Sequence, residues 1–310
     1  MRPKPRKAKK SPISLDQSAA RAQPSSSSSR PPVVSHRVTQ STIARFHTLL
    51  KQQARLKRKL ECHGVHDGER EVQSVHSSLL AVEREMQQLG GLHAYQLASK
   101  LGQSRERGGD SSKILLGWLE EMGVRSTATG AGAKLRMLEI GALTPLNYAS
   151  CSKWIENHPI DLNSQHPDIV QQDFFERPLP PGSTEAFDII SCSLVLNFVS
   201  TPTERGRMLQ LIHRQLKPSE TSLLFLVLPL PCISNSRYLS AESLVEFMRF
   251  VGFDLVQQRW KPGSKVGYWL WRWTRVDETD ASRQRGSTRW RKKIVETDGP
   301  KRNNFAIVLP

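Results

Sequence analysis

Apolar residues recur at helical spacing between Ser41 and Leu89, and beyond residue 134 the pattern changes to short β-rich runs alternating with helical ones. From Ser41 to Leu60 the helical set is Ile43, Phe46, Leu49, Leu50, Leu56 and Leu60, with Lys51, Arg55, Lys57, Arg58 and Lys59 crowded toward the end. This predicts an amphipathic helix with a basic second half. Val72, Val75, Leu79, Val82, Met86 and Leu89 alternate steps of three and four, which places them on one seam, and Gly90-Gly91 ends the helix they predict. The two helices are expected to pair as a hairpin. Residues 92–123 read as two further short helices around the polar RERGGDSS, with Trp118 and Leu119 as core candidates. The small-residue stretch TATGAGA (127–133) marks a boundary between a helical region, 38–126, and a domain covering 134–310.

Within that domain the alternation predicts a doubly wound α/β sheet. KLRMLEI (134–140) is strand one, HPIDL (158–162) contains strand two, DIVQQDF (168–174) is strand three and FDIISCSLVL (187–196) strand four. A helix begins near Pro202 and runs to Leu216, stopped by Pro218. TSLLFLVLPL (221–230) is strand five, Ser240 caps a helix that ends at Gly252, and FDLVQQRW (253–260) is strand six. Two runs compete for strand seven, GYWLWRW (267–273) and NFAIVLP (304–310), and the second is preferred, with the basic stretch between them read as a mobile loop.

Composition changes this picture mainly through charge. The 310 residues carry a formal net charge of +16. Residues 1–37 hold nine Lys and Arg against the single acid Asp16, net +8, while residues 137–260 hold nine against thirteen acids, net −4. A mildly acidic core with basic flanks suits a polyanionic partner such as ribonucleoprotein, attracted through counterion release. The tail 1–37, with its Ser25–Ser29 run and Pro31-Pro32, has too little apolar sequence to offset the entropy of ordering and reads as disordered. Its basic decapeptide MRPKPRKAKK fits a nuclear import signal and an RNA-contacting arm. No apolar run reaches the length of a membrane span, and no secretory signal follows the N-terminus. Cys62, Cys151, Cys192 and Cys232 show no zinc-ligand spacing and read as reduced, mostly buried thiols.

A doubly wound sheet binds its ligand beyond the carboxyl ends of its strands, so the residues just past each strand are the informative ones. Gly141 follows strand one, where a missing side chain lets a cofactor lie against the backbone. Asp161, twenty residues on, can accept both ribose hydroxyls. Asp173 can accept an adenine amino group while Phe174 lines the ring, and Cys192–Asn197 would face a sulfonium and the incoming nucleophile. The ordered spacing of these residues predicts S-adenosylmethionine binding on a Rossmann-like class I methyltransferase sheet. Gly141-Ala-Leu-Thr-Pro145 lacks the G-x-G-x-x-G of a dinucleotide fold, which argues against a nicotinamide dehydrogenase.

Five stretches resemble one family: Met137-Leu-Glu-Ile-Gly-Ala-Leu143, Tyr95-Gln-x-Ala-Ser-x-x-Gly-Gln103, Ser111-Ser-Lys113, Leu228-Pro-Leu-Pro-Cys-x-x-Asn-Ser-Arg-Tyr238 and Arg302-Asn-Asn-Phe305. Together they are similar to the fungal 25S ribosomal RNA adenine-N1 methyltransferases, from about Tyr95 to the C-terminus. The resemblance implies a nuclear, nucleolar enzyme acting on large-subunit RNA or the pre-ribosome, with Gly141 and Asp161 as cofactor contacts. It also brings in a relative of that family that senses S-adenosylmethionine for a nutrient-regulated kinase complex, which gives a second function class. For the base the candidates are Asn197, Asn235 and Tyr238, since amides read a base edge and a tyrosine ring can stack on it. Arg237 would suit a phosphate. No Asn-Pro-Pro-Tyr tetrapeptide stands at strand four, where the sequence is Ser191-Cys-Ser-Leu-Val-Leu-Asn197.

Overall fold

The computed structural model describes most of residues 45–60 together with 69–91, 111–125, 134–276 and 288–310, all within one compact unit spanning His36–Pro310. The basic tail 1–37, the Tyr95–Gln103 stretch and the 127–133 linker lie outside the described residues. Between 45 and 60 the described residues are helical and bury Phe46 and Leu49. Helix α1 (Glu69–Gln88) buries Val75, Leu79 and Val82 from the predicted seam, with Val72 exposed and Met86 and Leu89 only half-buried. The hairpin is tied across by Arg45, whose Nε and Nη2 donate to the two oxygens of Glu85 at 2.6 and 2.7 Å, and by Gln53 Nε2, which donates to Glu83 at 3.0 Å. Helix α2 (Ser112–Glu121) turns Leu115, Trp118 and Leu119 into the core beneath the sheet, where the Trp118 ring meets Phe225 edge-on at 5.9 Å.

The sheet has seven strands: β1 (Leu135–Ile140), β2 (Ile155–Asp161), β3 (Val170–Gln171), β4 (Ile189–Ser193), β5 (Leu223–Pro229), β6 (Phe253–Arg259) and β7 (Val266–Trp273). Their order is β3-β2-β1-β4-β5-β7-β6, with β1 to β5 parallel and β7 running antiparallel between β5 and β6. This is the Rossmann-like class I methyltransferase sheet expected from the alternation. The order reverses between β1 and β4, the point beyond whose carboxyl ends sheets of this kind hold a ligand in a crevice. β5 is buried on both faces from Leu223 to Leu228, the unbroken apolar run of a central parallel strand.

Local signals set the helices on one face. Helix α3 (Pro202–Gln215) starts with Thr201 accepting from Glu204 N at 2.9 Å and with proline in its first turn. The short α4 (Pro231–Ser234) follows β5 directly. Helix α5 (Ala241–Val251) has a reciprocal cap between Ser240 and Ser243 and ends on Gly252 at φ 105, a conformation that glycine adopts without strain.

Three boundaries differ from the sequence reading. β2 begins at Ile155, ahead of the predicted start, and β3 keeps only two paired residues because Asp173 opens a 3-10 turn (Phe174–Glu176). The seventh strand is Val266–Trp273, not 304–310. The C-terminal run is as buried as a strand, from Phe305 at 7% exposed to Ala306 at 1% and Leu309 at 7%, yet it forms no ladder. Its polar groups go elsewhere: Val308 N donates to Pro202 O at 3.0 Å, Leu309 N to Trp290 O at 2.7 Å, and Arg205 Nη1 donates to Ala306 O at 2.8 Å. An apolar run of this length signals burial without specifying which partner takes its hydrogen bonds. The preceding stretch, 288–303, is likewise fastened to the fold, with Trp290 edge-on to Phe247 at 5.3 Å.

Candidate active site

The carboxyl edge of β1 is shaped by one glycine. Gly141 N and Ala142 N both donate to Ile160 O, at 2.8 and 3.0 Å, which draws the end of β1 against the end of β2. Gly141 has φ 76, and a Cβ there would lie 2.4 Å from Val195 Cγ2 in the loop after β4. Both the backbone angle and the crowding disfavour a side chain, for which Val195 would have to shift.

From this point the predicted residues follow along the edge. Asp161, the last residue of β2, is half-buried and accepts from Asn163 N at 2.9 Å, while its carbonyl accepts from Gln172 N at 3.0 Å. Asp173 caps the 3-10 turn, accepting from Phe175 N at 2.8 Å. Phe174 is 6% exposed and packs in the same core as Ile140 and Ile160, so it is a core residue more than a wall of the crevice.

β4 divides its side chains between two environments. Ser191 and Ser193 face the crevice, while Ile190 and Cys192 face the core beside α3 and α5. The expectation that Cys192 faces the ligand is therefore corrected: its thiol is fully buried, and desolvation pushes its pKa up to about 12, which removes it from nucleophilic chemistry. Just past the strand, Leu194 takes a positive φ of 57, uncommon for a residue with a branched side chain, and the loop carrying Val195 and Asn197 turns over Gly141. Asn197 is 5% exposed, and its Oδ1 has no hydrogen-bond partner among the described residues. A buried orphan acceptor costs roughly 1–3 kcal/mol, so a ligand bringing an N–H to it would be favoured by that amount.

The structure adds residues that the sequence reading passed over. A polar niche of about 20 Å³, room for one water, lies under Gly141 between Ser111, Ser112, Glu139, Asn147, Tyr148, Ser191 and Ser193. Glu139 is buried and takes hydrogen bonds on both oxygens, from Asn147 Nδ2 at 2.6 Å and Asn157 Nδ2 at 2.8 Å. Ser111 Oγ lies 2.9 Å from Ser193 Oγ, and Tyr148 donates to Ser191 Oγ at 3.3 Å. The one available signal for Glu139 was an acid within a strand of otherwise buried apolar neighbours.

The Asn235–Tyr238 string stands past α4 on the same edge, but its bonds run to the C-terminal stretch. Asn303 N donates to Asn235 O at 2.9 Å, Arg237 N donates to Asn303 O at 3.0 Å, and Asn235 Nδ2 donates to Lys301 O at 3.2 Å. The Arg237 guanidinium donates to Asn304 Oδ1 at 3.1 Å and Gly299 O at 2.8 Å and pairs with Asp298 at 3.6 Å, so it is an internal clamp and not an open phosphate contact. The Tyr238 ring carries Lys293 Nζ 5.3 Å from its centroid.

The family model described as 25S rRNA (adenine(2142)-N(1))-methyltransferase, Bmt2, matches residues 80–307. The chain belongs to this family. Among curated proteins, the 25S rRNA (adenine(2142)-N(1))-methyltransferase of Saccharomyces cerevisiae is 34% identical over 271 residues, covering 87% of this chain and 72% of that protein. The 25S rRNA adenine-N(1) methyltransferase of Schizosaccharomyces pombe is 39% identical over 229 residues, 73% of this chain and 79% of its own. A solved Burkholderia thailandensis 1,6-didemethyltoxoflavin-N1-methyltransferase, 17% identical, covers 59% of this chain and 89% of its own with a TM-score of 0.36, an overlap too slight to bear on function. The residues of the Bmt2 family resemblance that fall on described positions, Ser111–Lys113, Met137–Leu143, Leu228–Tyr238 and Arg302–Phe305, occupy the niche and the carboxyl edge described above.

Proposed function

We propose that this protein transfers the methyl group of S-adenosylmethionine to N1 of an adenine in large-subunit (25S) ribosomal RNA. The observation that carries the reading is that the stretches by which the sequence resembles the family converge on one edge of the sheet: Ser111 meets Ser193 beside Gly141, and Arg302–Phe305 pairs with Asn235–Tyr238 past β5. The residues present fit the cofactor. Gly141 adds no side chain at the end of β1, and Asp161 and Asp173 offer carboxylates at the ends of β2 and β3. When bound, S-adenosylmethionine supplies an electrophilic methyl group on its sulfonium.

The chain's own task is alignment. Adenine N1 has an in-plane lone pair and needs no deprotonation before it attacks, so no general base is assigned. The protein holds an extruded adenine in line with the methyl group, excludes water and tolerates the positive charge the base acquires. Asn197 Oδ1 is assigned to the exocyclic amino group, a donor adjacent to N1; Asn235 and Tyr238 are assigned to the edge and face of the base. The same reading places the protein in the nucleolus on pre-ribosomal particles, with the tail 1–37 as an RNA-contacting arm. Catalysis is favoured over cofactor sensing because the matching family and both curated relatives are named as methyltransferases.

The test is incubation with labelled S-adenosylmethionine and unmodified 25S rRNA, followed by digestion to nucleosides. Labelled 1-methyladenosine is expected from the protein and not from Asn197→Ala, whose cofactor affinity should stand. Absence of any labelled nucleoside, with an RNA that a yeast relative does methylate, would overturn the proposal.

A further inference from the structure

The stretch 288–302 holds Arg289, Arg291, Lys292, Lys293, Lys301 and Arg302 against Glu296 and Asp298, net +4, next to a domain core that is net negative. It is pinned at three places. Trp290 packs on Phe247 and its carbonyl accepts from Leu309 N; Glu296 N and Thr297 N donate to Arg237 O at 2.8 and 3.2 Å; Asn303 bonds to the backbone on both sides of Ser236. Between these pins, residues 291–298 are all exposed, Ile294 and Val295 among them.

The two signs of charge are treated differently. Both acids have partners within the protein: Glu296 accepts from Ser243 Oγ at 3.0 Å, and Asp298 accepts from Gly299 N at 2.7 Å and pairs with the Arg237 guanidinium. Among the cations, Arg289 pairs with Glu246 at 2.8 Å, Lys293 lies over Tyr238, and Arg302 donates to Ser236 O. Arg291, Lys292 and Lys301 have exposed side chains with no ion pair among the described residues. With Asp298 paired to Arg237 and Glu296 bonded to Ser243, the remaining cations form a cationic shelf at the carboxyl edge of the sheet, fastened to the string that ends at Tyr238.

We propose that this shelf, through Arg291, Lys292 and Lys301, is a phosphate-backbone contact that seats the RNA strand beside the methylation site, a role that rests on the RNA-methylating function above. Exposed cations on a fixed backbone can meet successive phosphates and release their counterions, whereas Arg237 cannot, being consumed in holding the shelf in place. The shelf fixes strand position and leaves base identity to the residues of the crevice.

The experiment compares the full chain with the triple variant Arg291→Ala, Lys292→Ala, Lys301→Ala, using unmodified 25S rRNA transcript over a series of salt concentrations. Each lost phosphate contact should lower the slope of log affinity against log salt by about 0.7–0.9, so the triple variant should lose about two units of slope and on the order of a hundredfold in affinity at about 0.1 M salt. Cofactor affinity should be unchanged, and at saturating RNA the turnover rate should stand while KM for RNA rises. The control is Lys153→Ala with Arg214→Ala, two exposed cations at the opposite edge of the sheet, which should have little effect. An unchanged slope and affinity in the triple variant, or an equal loss per charge in the control, would overturn the shelf. Failure of the unmodified protein to methylate the transcript would instead overturn the function, and the binding comparison would still decide the shelf.

Discussion

Replacing Gly206 by alanine sets a local rule against a tertiary one. Gly206 lies in the interior of α3, where the change to alanine should by propensity alone stabilise by about 1 kcal/mol. The structure reverses the sign. A Cβ at Gly206 would lie 2.0 Å from Val308 O, 2.8 Å from its carbonyl carbon and 3.3 Å from Leu309 Cα, all backbone atoms of the buried C-terminal run. Carbon and oxygen tolerate about 3.3 Å, so that run would have to retreat by more than about 1 Å. It is held by the bonds from Val308 N to Pro202 O, from Leu309 N to Trp290 O and from Arg205 to Ala306 O, so retreat stretches at least one of them. Overpacking costs about 1–3 kcal/mol and a disrupted hydrogen bond about 1 kcal/mol more, which outweighs the helix gain and leaves a net loss of about 1–3 kcal/mol. Melting should fall by roughly 2–10 °C for a folded unit of this size. Gly117 in α2 is the internal control: a Cβ there meets nothing within 4 Å, so Gly117→Ala should hold or raise the melting temperature. The measurement is thermal unfolding by circular dichroism. If Gly206→Ala melts at or above the parent, the packing of the C-terminal run against α3 is wrong.

Two further outcomes are expected. Gly141→Arg and Asp161→Ala should each abolish S-adenosylmethionine binding by calorimetry while the protein stays folded, although the φ of 76 makes any side chain at position 141 cost about 1–2 kcal/mol of stability; retained affinity in both would refute the site. His158 lies edge-on to Phe187 at 5.6 Å, and burial lowers its pKa below the ordinary 6.5, opposed by Glu156 and reinforced by Arg136 and Arg177. The unfolded chain therefore binds the proton more readily, so the stability tied to a neutral His158 is fully present above 6.5 and is lost as pH falls below it. Melting of the parent between about pH 7 and pH 5 should fall more steeply than that of His158→Phe; parallel curves would show that the histidine is not responsible.

The sequence by itself determined the sheet and which residues follow its strands. The change from helical to β spacing at residue 134, the unbroken apolar run of β5, the helix start near Pro202, the Ser240 cap and the stop at Gly252 are each local physics, and each stands in the structure where the pattern put it. Gly141, Asp161, Asp173 and Asn197 were picked out as candidates because each ends or follows a strand of a parallel sheet, and the structure places each of them at or just past the end of its strand. Tertiary structure decided matters that depend on partners distant in the chain. Alternation cannot tell which of two apolar runs joins the ladder, and β7 won because its backbone pairs with β5 and β6 while 304–309 bonds to Pro202, Trp290 and Arg205. Cys192 and Ser193 are adjacent, yet the pleat sends one to the core and the other to the crevice. Glu139 is satisfied in its buried position only through Asn147 and Asn157, and Arg237 became a clamp only through residues about 60 positions away, because a side chain's role depends on which donors and acceptors the fold brings within about 3 Å of it.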